Sequence, residues 1–440
     1  MTVGDSSALA KVPGSIPVSC EPRPVTEAEW WRRIPAYADV GRAEFHDHRW
    51  QSANSPGNQT RVLAVLRELG GDTFAQAAAE ALGRAPMALR LTPYVLSLID
   101  WSEPTADPIR RQFVPLAGEL LPNHPMTRLD ALEEQADMPV PGLVHRYPDR
   151  ALLIALDVCP VYCAFCTRSY AVGAVHAGPA KLRMPVDAAR WDAALDYLAS
   201  SPQVKDVVLS GGDLAQLPAR YLCELGRRLL DIASIRRIRL ATRALGVLPM
   251  KLLSDEPWFA ALCELDRYAR RRDKEVALHV HLNHTREITS ITKSAAARLF
   301  DAGITVRNQS VLLRGVNDSA SELTALTRSL ADLHITSYYV FQHDLVPRCE
   351  HLRTSLATAL ELEKQLMGST AGFNVPRFVV DLPGGGGKRG VHTFESYDRE
   401  SGVSVFTSPA VAPGRSFRYF DPLHSLTPAA RARWTESATA

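Results

Sequence analysis

The sequence predicts an α/β fold, a partial (βα)6 barrel with a helical N-terminal region and a short C-terminal extension. Two observations carry this expectation. From Arg150 onward, short apolar runs recur: ALLIALDV (151–158), DVVLSGGD (206–213), RIRLATR (237–243), EVALHVHLN (275–283), ITVRNQSVLL (304–313) and TSYYVFQHD (336–344). Helix-like stretches such as DAARWDAALDYLAS and LTALTRSLADLH separate them. Buried strands alternating with helices imply a parallel sheet, and six such units suggest an open barrel. The second observation is that most residues able to do chemistry fall at the carboxyl ends of these runs, where such barrels build their sites.

The remaining elements follow in order. Residues 1–135 are rich in Ala, Leu, Glu and Arg; TEAEWWRRI and TRVLAVLRELG read as helices, with Thr26 and Thr60 as N-caps. Pro-rich breaks at PNHP and MPVPG set this region apart from a barrel assigned to 136–390. A further strand, RFVVDL, leads into a glycine run, and 391–440 reads as short strands, loops and a polar tail.

With 440 residues, 46% of them hydrophobic, the chain can bury a large core. A net charge of +2 with scattered basic residues gives no case for nucleic acid. No stretch approaches the roughly 18 to 20 apolar residues of a membrane helix, and the start lacks the pattern of a signal peptide. Of seven cysteines, Cys159, Cys163 and Cys166 cluster, while Cys20, Cys223, Cys263 and Cys349 are scattered. That usage points to a metal site in a reducing cytoplasm rather than a disulfide framework.

CPVYCAFC places the cluster as C-x3-C-x2-C just after the first barrel strand. Three thiolates can ligate three irons of a [4Fe–4S] cluster and leave the fourth open. An open iron can chelate S-adenosylmethionine (SAM), and the reduced cluster can cleave it to a 5′-deoxyadenosyl radical. Phe165 is placed to cover the cluster or the adenine. A zinc site is the alternative, but zinc wants a fourth ligand, and His176 is badly spaced for that. SGGD, Ser210 to Asp213, ends the second strand, and Gly211 and Gly212 would let backbone approach the SAM amino group. Alone, a Gly-Gly pair more often makes a turn.

DLPGGGGKRG places Lys388 after four glycines. A lysine that forms a Schiff base needs a lowered pKa and room for exchange, which a glycine loop at a strand end provides. A flexible loop with a solvated lysine is the bland alternative. A P-loop is disfavoured because Arg389 follows where Ser or Thr is required. Arg146 and Arg150, spaced i, i+4 in HRYPDR, could grip a phosphate together, though surface arginines are common.

Taken in order, HRYPDRALLIALDVCPVYCAFCTR, SPQVKDVVLSGGD, HVHLNH, RNQSVLLRGVND, QHDL, EHLRT and NVPRFVVDLPGGGGK resemble the lysine 2,3-aminomutase family over some 250 residues. The resemblance implies an isomerase that moves the amino group of a basic amino acid, L-lysine or L-arginine, from carbon 2 to carbon 3. It implies a [4Fe–4S] cluster on Cys159, Cys163 and Cys166, SAM, and pyridoxal 5′-phosphate on Lys388. Arg146 and Arg150 would hold the cofactor phosphate and Arg168 the substrate carboxylate. Ser210, Gly211, Gly212, Asp213, His281 and Gln309 would line the SAM and cofactor pocket. Asp344 and Asp381 would grip the distal cation of the substrate. Without the family, a helix cap or strand-end turn would be the first reading of each aspartate. A reductant protein such as flavodoxin or ferredoxin is the implied partner, and a secondary metabolite the implied destination.

The chain departs from the family pattern in places. Ala164 and Phe165 replace a basic pair, Ser169-Tyr170 replaces further arginines, and Ser319 stands where founding members carry a zinc-binding Cys. A homo-oligomer would therefore lack the family's zinc site. Two other readings stay open: a related enzyme supplying β-lysine for translation-factor modification, and a non-catalytic Fe–S or zinc module.

Overall fold

The computed structural model describes residues 29–85, 87–173 and 181–436. Cys20, Thr26 and His176 lie outside these residues. Nine strands form one sheet in sequence order: β1 (Leu143–Tyr147), β2 (Arg150–Leu156), β3 (Asp206–Gly211), β4 (Arg237–Ala241), β5 (Glu275–Val280), β6 (Thr305–Val311), β7 (Thr336–Phe341), β8 (Arg377–Leu382) and β9 (Gly387–Gly390). Strands β2 to β8 pair in parallel throughout, while β1 and β9 add antiparallel edges. The further strand RFVVDL is β8, a seventh parallel member of the same sheet rather than an appendage.

Parallel neighbours need crossovers, and helices supply them. With the N-terminal helix α1 (Gln59–Leu82) first, the crossovers are α2 (Ala188–Ala199), α3 (Ala219–Asp231), α4 (Glu256–Arg270), α5 (Ser290–Asp301), α6 (Ala320–Asp332) and α7 (Leu356–Leu366). Trp191, Leu198, Leu229, Trp258 and Leu265 of these helices pack on Val207, Leu209, Ile238, Leu240 and Leu278 of the sheet. Burying each such aliphatic side chain stabilises by about 1.5–3 kcal/mol. The other sheet face is polar: Arg239 pairs with Asp206 at 2.8 Å, Arg307 with Glu275 at 2.6 Å, and Gln309 with His279 at 3.1 Å.

The sheet curls until its edges nearly meet. The Lys388 backbone N–H of β9 donates to the Tyr147 hydroxyl of β1 at 2.8 Å. A Cβ on Gly387 would lie 2.8 Å from that hydroxyl, and φ there is +71°, so glycine is needed twice over. The barrel is thus closed by a side chain instead of a ladder.

In the N-terminal region, TRVLAVLRELG forms the first half of α1. Its cap is Asn58, whose side chain accepts from Arg61 N–H at 3.0 Å, and not Thr60. Gly71, at φ +83°, kinks the helix. The WWRR segment forms a 3-10 turn over Trp30–Arg33 because its tryptophans are drawn into an aromatic core, with Trp31 stacked on Phe45 at 4.2 Å. That core extends to Val161 beside the cysteine loop and to Val247 and Leu248 after β4.

At the other end, β10 (Ser396–Asp398), β11 (Val403–Ser408) and β12 (Ala412–Phe420) form an antiparallel sheet, followed by α8 (Pro428–Glu436). Phe406, Phe417 and Tyr419 pack on Leu356, Phe378 and Val380. The Tyr419 hydroxyl donates to the His343 carbonyl at 2.8 Å, bracing the loop that carries Asp344. Among the described residues, no helix is long and apolar enough to cross a membrane.

Candidate active site

The cysteine loop leaves the end of β2 and is pinned by backbone bonds to the N-terminal region, Tyr162 N–H to Arg90 O at 3.2 Å and Ala164 N–H to Gln112 O at 2.9 Å. Burial raises the pKa of all three thiols. Cys159 is also raised by Asp213, and Cys166 is pushed up to about 12 with Cys163 adding to the effect. At Cys163 burial is opposed by the neighbouring Arg243 cation. Thiols this buried ionise only with positive charge beside them, which is what iron would bring. Among the described residues, no three His, Cys, Asp or Glu side chains converge on one ion. Thiolates of a [4Fe–4S] cluster need not converge, since each takes its own iron; the residues fit a cluster better than zinc.

The SGGD segment lies one strand over, and its glycines let two backbone segments approach closely. A Cβ on Gly211 would overlap the Leu156 carbonyl oxygen, and one on Gly212 the backbone of Val158. Gly212 N–H bonds Leu156 O at 2.7 Å and Asp213 N–H bonds Val158 O at 2.9 Å. The glycines therefore seat the root of the cysteine loop. Asp213 is also committed internally, accepting from Ala215 N–H, the Thr242 hydroxyl and Arg243 N–H at 2.9, 2.5 and 2.8 Å.

Across the mouth, PGGGG is the turn of an antiparallel hairpin joining β8 and β9, not a free strand-end loop. Its register sets Asp381 directly opposite Lys388. Opposed residues of a hairpin share a face, and Lys388 Nζ meets Asp381 Oδ2 at 2.8 Å. This corrects one expectation. Burial pulls the lysine pKa down, but Asp381 outweighs it and holds the ammonium above its ordinary value. Asp344 is pushed up to about 7 by burial and then by Asp381. One Asp344 oxygen accepts from the Thr167 hydroxyl, whereas its Oδ1 and that of Asp381 are buried without a protein partner.

The three arginines are already engaged. Arg168 forks onto Glu134 at 2.9 and 2.7 Å, leaving Nη1 3.5 Å from Ser210 Oγ. The Tyr170 hydroxyl donates to the same Glu134 at 2.9 Å. Arg146 is held by Asp137 at 2.6 Å and by the Leu132 carbonyl. Arg150 lies 3.7 Å over the Tyr147 ring and pairs with Asp149. Arg146 and Arg150 share no protein partner among the described residues. His281 packs against the Phe165 ring at 5.8 Å; burial keeps it neutral, and its Nε2 is unpartnered. Gln309 lies deeper in the lumen, against His279.

Glu134, Asp137, Tyr147, Thr167 and Arg243 were not singled out from sequence. Only the glycine run carried a usable signal, because a turn flanked by two strand segments reads as a hairpin and pairs Asp381 with Lys388.

A lysine 2,3-aminomutase family model matches residues 363–395, the stretch that includes Asp381 and Lys388. The L-lysine 2,3-aminomutase of Clostridium subterminale is 39% identical over 360 residues, covering 81% of this chain and 80% of that protein. The chain belongs to the lysine 2,3-aminomutase family. The L-lysine 2,3-aminomutase of Bacillus subtilis is 34% identical, covering 81% of this chain and 71% of its own. The glutamate 2,3-aminomutase of Clostridioides difficile is 29% identical, covering 78% and 76%. As a family member the chain is an isomerase of the aminomutase type, and that membership implies SAM and an iron–sulfur cluster as cofactors. Lys388, the glycine turn and the polar lumen around Arg150 and Gln309 also fit a phosphorylated aldehyde cofactor.

Proposed function

We propose that this protein converts a basic L-α-amino acid, L-lysine or L-arginine, into its β-amino isomer, with pyridoxal 5′-phosphate as a third cofactor. One observation carries the reading: a continuous run of contacts joins the cysteine loop to the lysine. The Thr167 hydroxyl, next to Cys166, donates to Asp344; Asp381 lies near enough for its charge to raise the Asp344 pKa; Asp381 pairs with Lys388. These links support a shared site for the cysteine loop and the amine, although Cys166 and Lys388 lie far apart in the chain.

SAM on the cluster supplies a hydrogen-abstracting radical, and pyridoxal phosphate supplies an electron-accepting π-system for the migrating nitrogen. The chain's own residues do the positioning. Cys159, Cys163 and Cys166 would hold the cluster, with Ser210, Gly211, Gly212, Asp213 and His281 lining the pocket around it. Lys388 anchors the aldehyde, and Arg146, Arg150 and Gln309 are assigned to the cofactor. Arg168 keeps one N–H pair free of Glu134 for a substrate carboxylate. Asp344 and Asp381, each with an unpartnered buried oxygen, take the distal ammonium or guanidinium.

The same carboxylates disfavour glutamate, whose distal carboxylate would add a third negative charge to a buried site. A cytoplasmic flavodoxin or ferredoxin would supply the electron, and the β-amino acid suits a secondary metabolite. The deciding experiment is an anaerobic assay with SAM and reductant on free lysine, arginine and glutamate, reading β-isomers by mass-resolved chromatography. Conversion of neither basic amino acid would refute the substrate assignment. A pyridoxal absorbance absent from the intact protein would refute the third cofactor.

A further inference from the structure

Arg243 follows β4 and is 8% exposed. Its Nη1 donates to Cys163 Sγ at 2.7 Å. Its Nη2 donates to Gln112, and Glu287 Oε2 lies 3.6 Å away. The Phe113 and Phe165 rings flank the guanidinium at 4.6 and 5.4 Å. Behind it, Asp213 fixes both Thr242 and the Arg243 backbone. The N-terminal region, the end of β3 and the Glu287 turn thus converge to press one cation against one cluster thiol. Its Nε is buried without a partner in the protein, so the cation retains donor capacity toward whatever the loop binds.

Arginine cannot shed its proton, and a donor to a cluster sulfur is one of the levers that set cluster potentials. Reduction adds negative charge to the cluster, so a fixed neighbouring cation favours the reduced form. The dry surroundings strengthen that effect. Glu287 acts in the opposite direction, because its carboxylate offsets part of the arginine charge.

We propose that Arg243 is a positioning residue that acts through Cys163 to raise the reduction potential of the cluster, with Glu287 setting how much of its charge the cluster feels. This rests on the cluster reading of Cys159, Cys163 and Cys166. The cluster must accept an electron before SAM can be cleaved, so the arginine assists the first committed step.

The test is an EPR-monitored redox titration of the anaerobically reconstituted full-length protein without SAM. Arg243→Gln shifts the midpoint to more negative potential, and Glu287→Gln shifts it to more positive potential. Unchanged midpoints, with only SAM affinity weakened in Arg243→Gln, would assign the arginine to the SAM carboxylate and overturn the proposal. If Arg243→Gln does not load iron, Glu287→Gln alone decides: an unchanged or more negative midpoint refutes it. Wild-type protein that loads no cluster would instead remove the reading beneath it.

Discussion

On the β2 side of the barrel mouth, one of three buried thiols, Cys163, is paired with an arginine; on the β8–β9 side, two carboxylates sit beside one lysine. Burial drives the acids of both sides toward their neutral forms, Cys166 to about 12 and Asp344 to about 7. The countercharges differ in kind. Arg243 is clamped by Gln112, Glu287 and two rings and cannot leave. Lys388 keeps 32% of its side chain exposed, pairs with Asp381 and lies 5.3 Å over the Phe341 ring. A permanent cation suits a resident cluster. An exchangeable one suits a site where, once the lysine amine is engaged by a cofactor, Asp381 is released to a substrate cation.

The most damaging change on the first side is Cys163→Ala, which removes one iron ligand. Iron content falls and turnover drops below detection; retained iron with activity would show that the loop does not hold the cluster. On the second side, Lys388→Ala abolishes the pyridoxal absorbance and turnover while leaving iron content unchanged. Loss of turnover from either change, each with its own cofactor readout, would not be seen if the two sides served unrelated sites.

A smaller effect is expected at the exchangeable pair. Asp344→Asn or Asp381→Asn leaves a substrate cation half-paired, which costs about 3–5 kcal/mol where a buried pair is broken. The loss falls mainly on KM. It also predicts a pH dependence. Asp344 is protonated below about 7, so affinity for a basic amino acid rises as pH goes from 6 to 8 and the carboxylate forms. KM measured across that range should fall in the wild type and stay flat in Asp344→Asn.

Glu134→Gln weakens the fork on Arg168, and a hydrogen bond to a charged group is worth about 1.5–3 kcal/mol. The signature is a roughly ten- to hundredfold loss in kcat/KM, with both cofactors still bound. The smallest effect is expected at the seam of the barrel. Tyr147→Phe deprives the Lys388 N–H of its acceptor, and an unmet buried donor costs about 1–3 kcal/mol. Thermal unfolding should record a lower midpoint with little change in iron loading.

Local pattern alone carried the strands from β2 to β8, because alternating apolar runs and helical stretches can be read within a window of a dozen residues. The cysteine spacing and the lysine behind its glycines were legible for the same reason: each is written in contiguous residues. The pairs that make a site of them are not. Arg168 finds Glu134 across 34 residues, Arg243 finds Cys163 across 80, and Thr167 finds Asp344 across 177. Those partners are chosen by how far the sheet curls and by which loops then share its mouth. Such closure is a property of the whole packed barrel, and no short stretch of chain encodes it.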